Sequence, residues 1–277
     1  MKAKNQLDKF KYYLIKRKDV FLHSLKSSQR IGAKIGPKVI LNSMPKSGTH
    51  LLESLFFQLP LMRHCGRKTL KIETQNPLTL KLKIISSVKK GQFLLSHMQY
   101  HEDILNVSRE NNIKIVHLIR DPRDVLISHL NYIEKMDKTQ KSHQYLNQFD
   151  MRFDKLKAIV DGREHIIEPF KEVLNKFYPW TQESDVNLVK FESLIGVDGG
   201  GSSYEQKTVV KRICDFLSIE VSENQLDSIC KEIYSIKSST FNKGKIGSWK
   251  VTLNEEEQNW INTVLQNEIE KYGYGHQ

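Results

Sequence analysis

Short apolar runs that alternate with helical stretches constrain this chain more than any other feature. The clearest is Ile113-Lys114-Ile115-Val116-His117-Leu118-Ile119, seven residues of strand length. It runs into Arg120-Asp121-Pro122, where Asp121 can cap and Pro122 can open a helix reaching about Met136. Further strands are expected at Lys38-Val39-Ile40-Leu41, Gln92-Phe93-Leu94-Leu95 and Val186-Asn187-Leu188-Val189-Lys190-Phe191. Helices are expected from His50 to Phe57, Gln206 to Leu217 and Ser222 to Ile236. Strands alternating with helices predict an α/β fold: one domain with a mostly parallel central sheet flanked by helices on both faces. No internal repeat and no long linker divides it. The expected organisation is a basic arm over residues 1–30 and one domain over residues 31–277.

Charge restricts the partners. The 277 residues carry 43 Lys+Arg against 32 Asp+Glu, a formal charge of +11. Met1 to Ile40 hold eleven basic and two acidic residues, so +9 of the excess sits in the arm and the other 237 residues carry only +2. A nucleic-acid-binding protein spreads a basic face through its fold, so no nucleic-acid partner is expected. In the arm, Leu7, Phe10, Leu14, Phe21 and Leu25 share one helical face. That pattern suits either weak contact with anionic lipid or docking on the chain's own domain, and docking is the commoner use. No apolar run approaches the roughly 18 residues of a membrane span, and the N-terminus lacks a signal's apolar region. Cys65, Cys214 and Cys230 are odd in number and far apart, as free thiols in a reducing compartment are. The expected location is cytoplasmic.

Three motifs carry chemistry. Met44-Pro45-Lys46-Ser47-Gly48-Thr49-His50 lies between a strand and a helix, where backbone N–H groups and the helix dipole favour an anion. Lys46 adds a charge, and Ser47 and Thr49 add hydroxyls. The order differs from Walker A, which needs Lys directly after the second Gly. The second motif is Arg120-Asp121-Pro122-Arg123-Asp124-Val125-Leu126-Ile127-Ser128. Arg120 ends the strongest strand, where open α/β sheets bind ligands, and Ser128 lies two turns into the next helix. The third, Phe241-Asn242-Lys243-Gly244-Lys245-Ile246-Gly247-Ser248-Trp249-Lys250, combines glycines, lysines and a Trp. Each alone also reads as an ordinary turn, surface helix or basic loop. Gly199-Gly200-Gly201 lacks dinucleotide spacing and reads as a surface turn. His64-Cys65 has no second pair nearby to complete a zinc site.

Together and in this order, these motifs resemble the nucleotide-binding signatures of the cytosolic-type sulfotransferases that use 3′-phosphoadenosine 5′-phosphosulfate (PAPS). The resemblance spans roughly Ile40 to Lys250. It implies that Lys46, Ser47, Gly48, Thr49 and His50 hold the 5′-phosphosulfate, with Lys46 also stabilising the leaving oxygen. Arg120, Ser128, Lys243 and Gly244 would hold the 3′-phosphate, and Phe191 would lie by the adenine. It makes His97 the general base, and a neutral imidazole can accept a proton at neutral pH. His101 is its local competitor; His50 and His117 are more distant ones. No metal is expected, because a transferring sulfuryl group carries less charge than a phosphoryl group. The chain departs from the family at Leu51, where a Trp usually stacks on adenine; at Phe191, usually Tyr; and at Asn242, usually Arg. Lys243 and Lys245, or else Arg123, could compensate at the phosphate. The animal dimerisation segment has no match near Val251, so the oligomeric state is left open.

The implied activity is sulfuryl transfer to a hydroxyl or amine of a small-molecule acceptor. Tyr132, Tyr145, Phe149, Phe153 and Phe170, between Asn131 and Tyr178, are candidate walls for it. The alternatives are a P-loop-type kinase, disfavoured by the missing Walker A order, and a non-catalytic nucleotide-binding protein at a membrane surface.

Overall fold

The computed structural model of the protein describes residues 27–71, 77–135, 138–234 and 244–275. The chain runs through helix α1 (Ser27–Ile35), strand β1 (Lys38–Ser43), α2 (Thr49–Gln58), the short strands β2 (Arg63–His64) and β3 (Leu70–Lys71), and α3 (Leu78–Ser86). β4 (Gln92–His97), α4 (Glu102–Glu110), β5 (Ile113–Ile119) and α5 (Pro122–Glu134) follow. Helices α6 (Lys141–Leu146), α7 (Arg152–Asp161) and α8 (Phe170–Phe177) lead to β6 (Val186–Lys190) and the short α9 (Phe191–Leu194). Beyond these come α10 (Ser203–Phe216), α11 (Glu223–Ile233), α12 (Ser248–Thr252), α13 (Glu255–Val264) and α14 (Gln266–Lys271).

The strands form one parallel sheet in the order β2-β4-β1-β5-β6, with β3 also on β4. Successive strand residues face opposite sides, and each side has its own core. Ile40, Leu94, Ile115 and Ile119 pack with α5, α7, α8 and the C-terminal helices. Val39, Leu41, Phe93, Leu95, Val116 and Leu118 pack with α2, α10 and α11. α2 is apolar on most of its surface because it lies against both the sheet and α11. α5 starts as its sequence requires: the Asp121 side chain accepts from Arg123 N at 2.9 Å, and Pro122 fills the first turn.

Several boundaries differ from those expected. β1 and β4 each continue two residues further, because Asn42 and Ser96 stay in register with each other. His97 therefore ends a strand rather than following one. Phe191 leaves β6 to open α9. The expected stretches to Met136 and Ile236 end outside the described residues. Residues 1–26 of the expected arm are also outside them, and α1 runs across the expected boundary at residue 30. α1 docks by a close approach at Gly32, where a Cβ would stand 2.0 Å from the carbonyl oxygen of Leu61. Its end is tied down by Gly91 N, which donates to Gly36 O at 3.1 Å and Pro37 O at 3.0 Å.

A buried polar cluster locks the strand ends. Asn42 Oδ1 accepts from Ser96 Oγ and Met98 N, both at 2.8 Å, while its Nδ2 donates to Met98 O at 2.9 Å. Trp180 Nε1 donates to the same Met98 carbonyl at 2.8 Å. His117 Nδ1 stands 3.3 Å from Asn42 Nδ2, and its ring stacks on Phe177 with an interplanar angle of 15°. Burial pushes the His117 pKa down to about 3, so it stays neutral in the fold. The unfolded chain takes up a proton near the ordinary value of about 6.5, so stability present above that pH is lost as pH falls towards the folded value. Replacing this proton site by His117→Phe should flatten stability against pH between about 6 and 4 by about 1.4 kcal/mol per pH unit. Urea melts across that range would read it, and an unchanged slope would refute it.

Candidate active site at the carboxyl edge of the sheet

β1 is the switch point of the sheet: the chain adds β2, β3 and β4 on one side of it, then β5 and β6 on the other. Open α/β sheets form their ligand crevice at the carboxyl end of such a strand. The register brings three elements there. Asn42 pairs with Ser96 and Ser43 with Leu118, so the loop after β1, His97 at the end of β4 and Arg120 after β5 share one edge.

The loop Met44 to Gly48 turns tightly, with Ser47 N donating to Met44 O at 3.2 Å. Lys46 takes a left-handed φ of 74°, and Gly48 takes φ 103° at the N-terminus of α2. A Cβ on Gly48 would lie 2.4 Å from Cδ2 of Phe191, so only glycine fits. No side chain caps α2. The N–H groups of Gly48, Thr49 and His50 belong to its first turn, whose donors have no intrahelical acceptor. The Thr49 hydroxyl is committed to Ser43 Oγ at 2.7 Å, whereas Ser47 Oγ is buried with no hydrogen-bond partner. His50 Nδ1 meets Glu53 Oε2 at 3.2 Å.

Arg120 is buried, with its guanidinium 4.3 Å from the centre of the Phe191 ring. Its Nη2 donates to Lys245 O at 3.0 Å and Asp124 Oδ2 at 3.3 Å, and its Nε has no partner. Asp124 is fully buried and also accepts from Gly247 N at 2.9 Å, Ser248 Oγ at 2.7 Å and Trp249 N at 3.0 Å. The second and third motifs therefore meet on one carboxylate. Gly244 enters this segment half-buried, and Ile246 N donates to Gly199 O at 3.1 Å, so the glycine turn anchors it. Ser128 is half-buried in α5, and Lys243 lies outside the described residues.

Two expectations, at Arg123 and Phe191, need correction, and the departure at Leu51 has a packing reason. Arg123 is unavailable to a phosphate: it is buried, forks onto both Asp121 oxygens, reaches Asn262 at 2.9 Å and lies 4.2 Å from the Trp249 ring centre. Leu51 belongs to the core beneath α2 and offers no surface to a base. Phe191 is 1% exposed between Gly48 and Arg120, so it supports the loop after β1 and Arg120 rather than presenting a face to adenine.

His97 Nδ1 lies 2.8 Å from Ser43 O. A carbonyl only accepts, so Nδ1 carries the proton and Nε2 keeps its lone pair. Burial lowers the His97 pKa to about 4, and the charges of Lys71, His50 and Lys46 add to this. Two competitors sit elsewhere, His101 capping α4 by accepting from Asp103 N at 3.2 Å and His117 in the core, while His50 lies at the site in the first turn of α2 against Glu53. Lys46 has its pKa lowered by burial first, then by Lys135 and Arg120, and its ammonium rests 4.2 Å from the Tyr132 ring centre. Sequence reading missed Lys71, placed beside His97 by strand pairing, and Lys135. It also missed His129, whose pKa burial and Lys46 push down to about 4. His129 directly follows Ser128 in α5, and that adjacency was its one signal in the sequence.

The family model for the sulfotransferase domain matches residues 36–273. The chain belongs to the cytosolic-type sulfotransferase family. It is 26% identical over 231 residues to cytosolic sulfotransferase 14 of Arabidopsis thaliana, covering 72% of this chain and 65%, just under two thirds, of that relative. Identity to the flavonol 3-sulfotransferase of Flaveria bidentis is 22% over 290 residues, 96% of this chain and 92% of that one. The fold matches that of mouse sulfotransferase SULT7A1 complexed with PAP at a TM-score of 0.64 and 15% identity, covering 92% of each chain.

Within this sulfotransferase fold, one of the five candidate wall residues touches the site, Tyr132 through Lys46. Phe170 is core, Tyr145 packs on Phe149 and Phe153 packs on Trp260, each edge to face. Among the described residues, no helix is long and apolar enough to cross a membrane. Asp124→Ala leaves the Arg120 guanidinium buried beside three other freed donors. It should cost about 3–5 kcal/mol of stability, measured by denaturant unfolding, and a loss under 1 kcal/mol would show that Asp124 is not the hub described.

Proposed function

We propose that the protein transfers the sulfuryl group of PAPS to a hydroxyl or amine of a small-molecule acceptor, with His97 as general base. The observation that carries this is the set of cations and unmatched donors at one sheet edge. Lys135 and Arg120 add to the cost of charging Lys46, Lys71 and Lys46 add to the cost of charging His97, and Ser47 Oγ and Arg120 Nε are buried without acceptors. A nucleotide with two anionic groups, the 3′-phosphate and the 5′-phosphosulfate, relieves both at once. The residues present therefore fit the donor that solved neighbours support, since mouse sulfotransferase SULT7A1 is complexed with PAP.

Lys46, Ser47, Gly48, Thr49 and His50 would hold the 5′-phosphosulfate, the last three by backbone N–H. Arg120, Ser128, Lys243 and Gly244 would hold the 3′-phosphate. The acceptor's proton passes to His97 Nε2 as its oxygen or nitrogen bonds to sulfur. The bridging S–O bond breaks with its electron pair on the phosphate oxygen, where Lys46 stabilises it. His97 in the free protein is a weak base because burial, and after it the neighbouring cations, oppose its protonation. A bound anion offsets those cations and raises its basicity when the acceptor is present.

Adenosine 3′,5′-bisphosphate should raise the thermal midpoint of the protein, by about 2.7 kcal/mol of stabilisation at 100 times its dissociation constant. His97→Ala should bind it normally yet lose roughly 10²–10⁴ in turnover. Lys46→Ala should lose about 10²–10³ in kcat. Mass gain of one sulfuryl group on metabolites incubated with PAPS would identify the acceptor. A protein that binds the nucleotide and never turns over would instead support the non-catalytic reading.

A further inference from the structure

The opposite end of the sheet carries a second concentration of positive charge that the proposed reaction does not use. Lys38 opens β1 and pairs with Ile113, so α1, the turn before β4 and the start of β5 lie together at the amino ends of the strands. α1 is held against that turn through Gly91. On it, Ile31 is 53% and Ile35 68% exposed, four residues apart and so on one helix face. Arg30 and Lys34 on α1 and Lys89 and Lys90 on the turn before β4 are exposed, and Lys114 in β5 is exposed with its ammonium 5.0 Å from the Phe216 ring centre. Residues 27–40 and 77–101 contain no Asp or Glu. Glu110 and Asp185 also lie at this end, Asp185 in an ion pair with Arg109 at 2.6 Å. The chain reaches this face from residues 1–26, which hold eight basic and two acidic residues.

Exposed isoleucines within a cationic rim match one chemistry: a surface that is negatively charged and has an apolar layer just beneath it. We propose that this face docks on anionic lipid, with Ile31 and Ile35 entering the headgroup region and Arg30, Lys34, Lys89 and Lys90 meeting the lipid charges. Docking this way leaves the carboxyl edge, with His97 and Arg120, facing water. An acidic protein or nucleic acid would match the charges but not the two isoleucines.

The test uses the full chain with phosphatidylcholine vesicles, with and without roughly 30% phosphatidylserine, a composition giving a negative surface potential. The protein should cosediment with the anionic vesicles alone, less so at high salt. Ile31→Glu/Ile35→Glu and Lys89→Glu/Lys90→Glu should each weaken partition about 10-fold, with sulfuryl transfer to a soluble acceptor unchanged. The proposal is overturned if neither vesicle binds the protein, or if both variants bind like the parent while Lys9→Glu/Lys11→Glu alone abolishes binding. It is also overturned if the isoleucine variant unfolds several degrees earlier, which would mean that the chain covers this face itself. Loss of self-association or of oligonucleotide binding in the variants, without vesicle binding, would assign the face to a second copy or to nucleic acid.

Discussion

Asp124 ties together the elements at the carboxyl edge of the sheet. Its carboxylate is buried and accepts from Arg120, Gly247 N, Ser248 Oγ and Trp249 N. Two of these donors belong to backbone more than a hundred residues further along the chain. A buried carboxylate without partners would take up a proton or disrupt the core; with four donors it becomes a fixed point. Arg120 cannot then rotate toward solvent, because its Nη2 is shared between Asp124 and the Lys245 carbonyl. Phe191 fixes its plane from below, and the same ring closes on Gly48. One aromatic side chain thus sets the spacing between the loop after β1 and the arginine after β5.

On the other side of β1, position and protonation are set by a different network. Asn42 pins Met98 by both its N–H and its C=O, and Trp180 bonds that same carbonyl. His97 is the residue just before Met98. Its ring can turn only about a side chain whose backbone is held, and Ser43 O then selects which nitrogen carries the proton. The place of His97 and its tautomer are therefore consequences of one parallel pairing, β1 with β4.

Much of this was legible in the sequence because the information was local. A strand followed by Asp-Pro gives a capped helix whatever surrounds it, and α5 begins where Asp121 and Pro122 placed it. A Gly-containing turn before an apolar helix gives an anion-suited terminus, as at Gly48. What stayed hidden was pairwise. Nothing near Arg123 in the chain shows that Asp121 turns back onto it, or that Asn262 and Trp249 arrive to complete its burial. Lys71 meets His97 only through a two-residue strand too short to carry a pattern. The apolar spacing that marked Leu51 as helical could not tell a ligand wall from the core side of α2.

The chain's two concentrations of positive charge differ in what surrounds them. At the carboxyl edge Arg120 is buried and Lys46 half-buried, with the exposed Lys71 and Lys135 nearby, and Lys46 has its pKa lowered by burial, Lys135 and Arg120. Such a site is paid for by the fold and selects a small multiply charged anion that can enter it. At the amino ends the cations are exposed, water screens them, and each contributes little by itself. Such a face responds only to an extended field. β1 is six residues long, about 20 Å, which is more than twice the Debye length of about 8 Å at physiological ionic strength. Exposed charges at the two ends are therefore largely screened from one another by solvent.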